Sequence, residues 1–442
     1  MADNNNTNKN ILINEENFPD ANFRKWILEQ EYGKIGVIDY HDIPNITKIK
    51  VNKCNIASLE GIHFFTALMM LDCERNQLTT LDLTKNIALK KLKCNNNLLK
   101  KLDVSHNTAL AWLKCERNQL STLDVANNTK LTNLWCYYNN LTVLDVSLCT
   151  ELKDLDCQWN KLKTLNVSNN SALKKLSCCV NNLTTLDISN CTALTRLDCG
   201  NNQLTALDVS KNTTLTELYC DDNQLTALDI SNNTALAMLY CVKNQLTTID
   251  VSKNTALILL NCHNNLLTAL DVSKNMTLTE LRCGCNLLTA LDVSNNTALT
   301  RLDCIDNKLT VLDTSNNTAL TRLDCDENLL TALDVSKNMT LTELHCADNQ
   351  LTALDVSKNT ALTMLYCGGN KLTTIDVSKN MALTDLDCDN NKLTALDVSK
   401  NTALINLSCS WNKLKTLDVS KNKALDFLGC DSFQTCKIKR KG

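Results

Sequence analysis

Cysteine carries the most latent chemistry in this chain. The 442 residues include 24 of them. From Cys73 to Cys430 one recurs every 21 residues without a gap, filling 18 positions. Thiols form disulfides, bind metals or act as thiolate nucleophiles, and each use has its own geometric demand. No C-x-x-C pair occurs, and one thiol per 21 residues cannot surround a zinc ion. If successive repeats stack as sheet neighbours, their thiols sit ~4.8 Å apart with parallel Cβ vectors. A disulfide needs Cβ atoms about 3.5–4.5 Å apart and turned toward each other. The column is therefore expected to stay reduced and to act as small hydrophobes. Cys54, Cys149, Cys179, Cys191, Cys285 and Cys436 lie outside it. Cys149 and Cys191 are two repeats apart, roughly 10 Å, too far to bridge. His263 and Cys285 are the one pair that pairs a base with a nucleophile on neighbouring repeats. Thiol catalysis would need a low-pKa thiolate oriented by that base. Two incidental substitutions in variable columns explain the pair without chemistry. With no nucleophile motif, phosphate loop or metal-ligand cluster, the chain is expected to be no enzyme and to need neither cofactor nor metal.

A second set of residues offers binding rather than reaction. Trp112, Trp135, Tyr137, Tyr138 and Trp159 fall within three repeats, with Lys114 and Arg117 beside them. Tyr219 and Tyr240 continue the stripe more sparsely, followed by Tyr366 and Trp411. Glu217 to Leu257 recurs almost unchanged as Glu343 to Leu383, so Tyr366 repeats Tyr240 by duplication. Large rings that the core does not need serve as contact anchors, because they bring much area and few rotors. Mutual stacking without a partner is the bland alternative. A third column, Asp82, Asp103 and on to Asp418, is broken only by Asn166. Each Asp is expected to accept hydrogen bonds in an Asx-turn. A row of calcium sites is disfavoured, since calcium-binding β-roll repeats are glycine-rich and this chain has nine Gly. Later repeats gather acids, among them Asp303, Asp324, Asp326, Glu327 and Asp348, which read as a solvated face, with a basic partner or a cation site as the alternative.

The elements that must position these residues follow from the 21-residue unit. Leu68, Leu71, Cys73, Asn76 and Leu78 give L-x-x-L-x-C-x-x-N-x-L. The alternation around Leu71 and Cys73 predicts a short strand with both side chains inward and the variable residues outward. Leu78, Leu81, Leu83 and Leu89 complete the inward set, in columns that stay apolar apart from Thr314. The Asn column from Asn76 to Asn412 should turn the chain and bond the backbone of neighbouring coils. One coil buries too little to offset the entropy of ordering it, so coils must stack. This spacing resembles a leucine-rich repeat. It implies a gently curved solenoid with a parallel β-sheet on the concave face, extended convex segments and a small helical N-terminal cap.

Residues 1–10 are polar and read as a disordered leader. Residues 11–48 hold both prolines, Pro19 and Pro44, and read as the cap. Within it a helix is predicted from an N-cap at Asp20 to Tyr32, with Phe23, Trp26 and Ile27 on one face. A second short helix is expected near Tyr40 to Ile43. Residues 49–430 form the solenoid, and 431–442 a short C-terminal cap with a basic tail.

The stretch ENFPDANFRKWILEQEYG, Glu16 to Gly33, followed by cysteine-column repeats, resembles bacterial proteins of the internalin class, in particular those with a cysteine ladder. That resemblance implies adhesion or protein recognition through the concave face, at the cell surface or outside the cell. Caps of this class are EF-hand-like. Here, with Gly36 aligned to the loop glycine, Glu31, Gly33 and Ile35 stand at the first ligand positions. The cap therefore reads as degenerate and metal-free. The class's leader, wall anchor and extra domains are not in this sequence, so a cytoplasmic location stays open. A glycan, stacked on Trp135, Tyr137 and Trp159, is the alternative ligand, and a structural surface-coat role the third reading. A net charge of −3 gives no case for nucleic acid. No apolar run approaches the length of a membrane span. The chain is expected to be a monomer.

Overall fold

A computed structural model describes residues 10–430 and 437–439; the leader and most of the C-terminal cap expected from the sequence lie outside them. The chain divides into two compact units, Met1–Leu215 and Thr216–Gly442. Each is a stack of leucine-rich repeat coils, and together they bear out the predicted parallel-sheet solenoid with very little helix.

The first unit opens with the cap. Ile11–Leu12 pairs antiparallel with Val37–Ile38, a small sheet the sequence did not suggest. The helix covers Ala21–Leu28 and stops short of Tyr32; Glu31–Gly33 is a separate single turn of 3-10 helix. Tyr40–Asn45 is also 3-10 and contains Pro44, which can donate no backbone hydrogen bond. Asp20 does two jobs. Its Oδ1 accepts from the N–H groups of Asn22 and Phe23, both at 2.9 Å, while Oδ2 accepts from Ala57 at 2.7 Å and Ser58 at 3.1 Å. The helix cap thereby ties the N-terminal segment to the first coil. Phe18 is fully buried beside Phe23, Phe64 and Phe65. Gly61 lets it in: at φ +94° it adopts a left-handed conformation, and a Cβ there would lie 2.3 Å from the Phe18 ring.

Three-residue strands then recur, from Lys48–Lys50 to Arg196–Asp198 in the first unit and from Glu217–Tyr219 to Phe427–Gly429 in the second. The first step is 22 residues, Ile49 facing Leu71; from there the register is 21, Leu71 facing Leu92 and Leu92 facing Leu113. Columns in the sequence are thus columns in space. Leu71, Cys73, Leu78, Leu83 and Leu89 are buried, as the alternation requires. Thr416–Asp418 adds a separate pairing with Lys437–Lys439.

Two asparagine ladders hold the coils together. In the first, Asn97 Oδ1 accepts from Leu78 N–H, and its Nδ2 donates to the carbonyls of Cys73 and Cys94, all at 3.0 Å. The second runs under the opposite turn. Asn107 is fully buried and its Nδ2 donates to the carbonyls of Leu83 and Asn86. Cys149 and Cys191 replace asparagine in this second ladder, and the Cys149 thiol lies within reach of both ladder carbonyls, 3.6 Å from that of Val125 and 3.8 Å from that of Asn128. The cysteine column adds its own cross-coil contacts, Cys73 Sγ donating to the Lys93 carbonyl at 3.3 Å. The Asp column does form Asx-turns, Asp103 Oδ1 accepting from Ser105 N–H at 2.9 Å.

The residue before each first-ladder asparagine has a left-handed backbone, a feature the sequence hides. Arg75, Arg117, Tyr138, Trp159, Val180 and their counterparts have φ near +50°, and only Gly369 among them is a glycine. L-residues pay roughly 1–2 kcal/mol for this conformation. The N–H it presents is used between coils, Arg117 donating to the Tyr137 carbonyl at 2.9 Å.

Candidate functional site

Strand alternation places Trp112, Lys114 and Trp135 on the outer face of the sheet in the first unit, and Tyr137 beyond it in the next outward column. Trp112 is covered by Lys91, whose Nζ lies 3.9 Å from the ring centroid, and Trp135 by Lys114 at 3.5 Å. The two indoles meet at 6.4 Å, tilted by 56°. Their Nε1 groups are both buried without a hydrogen-bond partner. The sequence placed these rings outward as open anchors; they are outward but half-buried, because neighbouring coils bring each one a cation and another ring.

The rim carries the more open surface. Tyr138 and Trp159 occupy the left-handed positions, 40% and 45% exposed, and stack at 4.7 Å with a 9° interplanar angle. Arg117 lies over Tyr138 at 4.6 Å, and Tyr137 meets Tyr138 edge-on. A recess of about 780 Å³ runs beside this group, lined in part by Arg75, Asn95, Lys114, Arg117, Trp135 and Tyr137. Lys91 was not singled out from the sequence; its position 21 residues before Trp112, in the same strand column, was the available signal.

Electrostatics add something the sequence could not give. Glu116 belongs to an outward column, yet only 3% of it is exposed. Burial pushes its carboxyl up to about 7, and Lys114 opposes only part of that rise. Asp156 is raised to about 6 for the same reason. Burial also lowers the Lys114 ammonium and raises the Tyr137 hydroxyl. Two acids in the outward columns of this site therefore have carboxyls held above their ordinary range.

In the second unit, Tyr219 and Tyr240 face each other across adjacent strands and stack at 5.0 Å. The His263–Cys285 pair lacks what thiol chemistry needs: burial and the nearby Asp306 push the Cys285 thiol up to about 11. Elsewhere the register gathers Asp324, Asp326 and His345, a grouping absent from the sequence reading, which assigned no metal ligands.

No helix among the described residues is long and apolar enough to cross a membrane. By sequence, the family described as Leucine Rich repeats (2 copies) matches residues 171–212, and an LVIVD repeat matches residues 218–243. No curated protein matches the chain by sequence. Among solved structures, the functional domain of InlJ from Listeria monocytogenes, described as including a cysteine ladder, is 31% identical with a TM-score of 0.61. That match covers 95% of this chain and 79% of the other. The internalin InlF from Listeria monocytogenes is 22% identical with a TM-score of 0.57, covering 85% of this chain and 97% of its own. The leucine-rich repeat ectodomain of the Arabidopsis receptor kinase HAESA, in complex with an IDA peptide hormone, is 20% identical with a TM-score of 0.70. It covers 84% of this chain and 71% of its own. The last two share the fold alone. With its cysteine and asparagine ladders, its N-terminal cap and its identity to the InlJ domain, the chain belongs to the internalin-type bacterial leucine-rich repeat proteins.

Proposed function

We propose that this chain is a non-enzymatic recognition protein whose sheet face, at the coils of Cys115, Cys136 and Cys157, binds a protein partner. The observation that carries this reading is the row of rings built outside the core. Trp112, Trp135, Tyr137, Tyr138 and Trp159 rest on a sheet whose inward face is already filled by leucine and cysteine. Lys91, Lys114 and Arg117 lie over ring faces. A partner carboxylate would attract these cations more strongly than a ring face does, so the surface favours an acidic segment set among apolar anchors. The HAESA ectodomain holds a peptide on the same fold. Membership of the internalin type makes adhesion at the cell surface or outside the cell the matching biological role, with the chain acting as a monomer. Tyr219 and Tyr240 are proposed as a secondary contact in the second unit.

A glycan is the second reading, favoured by the open Tyr138–Trp159 stack. Two double variants separate the readings. Trp135→Ala with Tyr137→Ala should leave the melting temperature nearly unchanged and weaken a protein partner by about 2 kcal/mol or more. Tyr138→Ala with Trp159→Ala should be the more damaging pair on a glycan array. Unfolding of the first pair would make the rings structural. Full-strength binding of an identified partner by both pairs would place the site elsewhere.

A further inference from the structure

We propose that Asp324, Asp326 and His345 form a binding site for a divalent transition-metal ion. One carboxylate oxygen of each aspartate and one ring nitrogen of His345 lie within 4.8 Å of one another. The fold's register makes them meet. Asp324 and His345 face each other across adjacent parallel strands, and Asp326 follows Asp324 by two residues, on the same outward side. Ala347, the next coil's counterpart of Asp326, is small, and its N–H donates to Asp326 Oδ1 at 2.5 Å. That bond fixes the carboxylate and leaves its other oxygen for a ligand.

A separate observation points to a cation. Asp324 is 7% exposed, and its Oδ1 is buried with no hydrogen-bond donor. His345 Nε2 is likewise buried and unpartnered. A buried carboxylate oxygen without a donor is costly, and a bound cation would offset that cost. His345 Nδ1 lies 3.5 Å from Asp324 Oδ2, so the strand register already draws these two ligands together. Arg322 approaches Asp324 Oδ2 only to 3.6 Å, and its Nη1 is given to Glu343 Oε2 at 2.7 Å. Asp303 faces Asp324 from the preceding strand, beside Arg301. Glu327 and Asp348 stand on the rim. Carboxylates outnumber guanidinium groups, so the local field favours a cation. The Tyr366 ring, 4.6 Å from the His345 ring, covers one side.

Two carboxylate oxygens and one imidazole nitrogen suit borderline divalent ions such as zinc, and leave positions for water or a partner's donor group. The arrangement is not a general product of the repeat. The residues 126 positions earlier are Asp198, Gly200 and Tyr219, so the corresponding earlier block keeps only one of the three ligands.

The test is calorimetric titration of zinc alone into the metal-free full chain. The variants are His345→Gln and Asp326→Asn, with Asp348→Asn as the control. The native chain and the control should each bind one zinc, and both ligand variants should bind at least tenfold more weakly with unchanged metal-free melting. If one ligand variant fails to fold, the other still decides. Cobalt is the second probe, because thiolate ligation by the ladder would give an intense ultraviolet charge-transfer band that oxygen and nitrogen donors do not. The proposal is overturned if the native chain takes up no zinc, if a folded ligand variant binds as tightly as the native chain, or if cobalt shows the thiolate band.

Discussion

Glu116 shows how a single residue on a repeat surface can depart from its column. Its raised carboxyl means the folded chain takes up a proton more readily than the unfolded chain does. The associated stability is full below about pH 4.5, the ordinary glutamate range, and is lost as pH rises through about 7. Glu116→Gln should therefore stabilise the chain at pH 8, by roughly 1–2 kcal/mol after allowance for screening, and leave its stability unchanged at pH 4. Thermal melts at the two pH values check this. Val180 is a second such residue. It is β-branched yet held at φ 52°, where a Cβ branch is most crowded. Asparagine fills several equivalent positions, such as Asn96 and Asn201, so Val180→Asn should stabilise the chain by about 1 kcal/mol. A loss of stability in denaturant unfolding would show that Val180 packs more than it strains. Thr314, the exception in an apolar column, has a physical reason. Its Oγ1 donates to Asn338 Oδ1 at 2.9 Å, whereas Asn317 Oδ1 and Asn359 Oδ1 have no donor. Val293→Thr should thus be nearly neutral, because the new hydroxyl meets Asn317. Val167→Thr should cost about 1–3 kcal/mol, because Cys191 stands where the acceptor amide would be. Equal costs for the two would refute this account.

At the scale of the coil, the strands are only three residues long, so the asparagine ladders supply much of the continuity. Asn244 Oδ1 accepts from Leu225 N–H at 3.0 Å, and its Nδ2 donates to the carbonyls of Cys220 and Cys241 at 3.0 and 3.2 Å. Asn244→Ala strands these buried groups and should cost on the order of 2–3 kcal/mol. Urea unfolding measures it; an unchanged midpoint would mean water replaces the amide. The Asx-turns on the other side respond to pH in the opposite sense to Glu116. Hydrogen bonds from Ser105 hold the Asp103 carboxyl below its usual range. Their contribution is present above about pH 4 and fades as the pH falls further.

Across the whole molecule, each unit repeats one solution: leucine and cysteine inward, asparagine at both turns. The 23 cysteines described are all unbridged. Burial pushes the ladder thiols up, Cys262 to about 12, which suppresses the thiolate that reacts. Thiol labelling of the native chain at pH 8 should therefore reach, among these, only the half-exposed Cys54, Cys179, Cys285 and Cys430, and slowly. The rest should become reactive only through the unfolding transition. Disulfides between ladder neighbours, detected by mass spectrometry, would contradict this.

The sequence by itself determined the repeat, its register and its inward columns. A strict 21-residue period admits one stacking, and a slip of one residue would turn Leu71 and Cys73 outward. It also located the aromatic cluster, since alternation decides which side a strand residue faces. What it could not decide depends on distances between residues of different coils. The burial of Glu116, the lysines over Trp112 and Trp135, and the meeting of Asp324 with His345 all arise when variable residues 21 apart become neighbours. The rim turned left-handed for a related reason, its N–H groups donating to the following coil. Local propensity carries no record of such partners; only the tertiary structure brings them into contact.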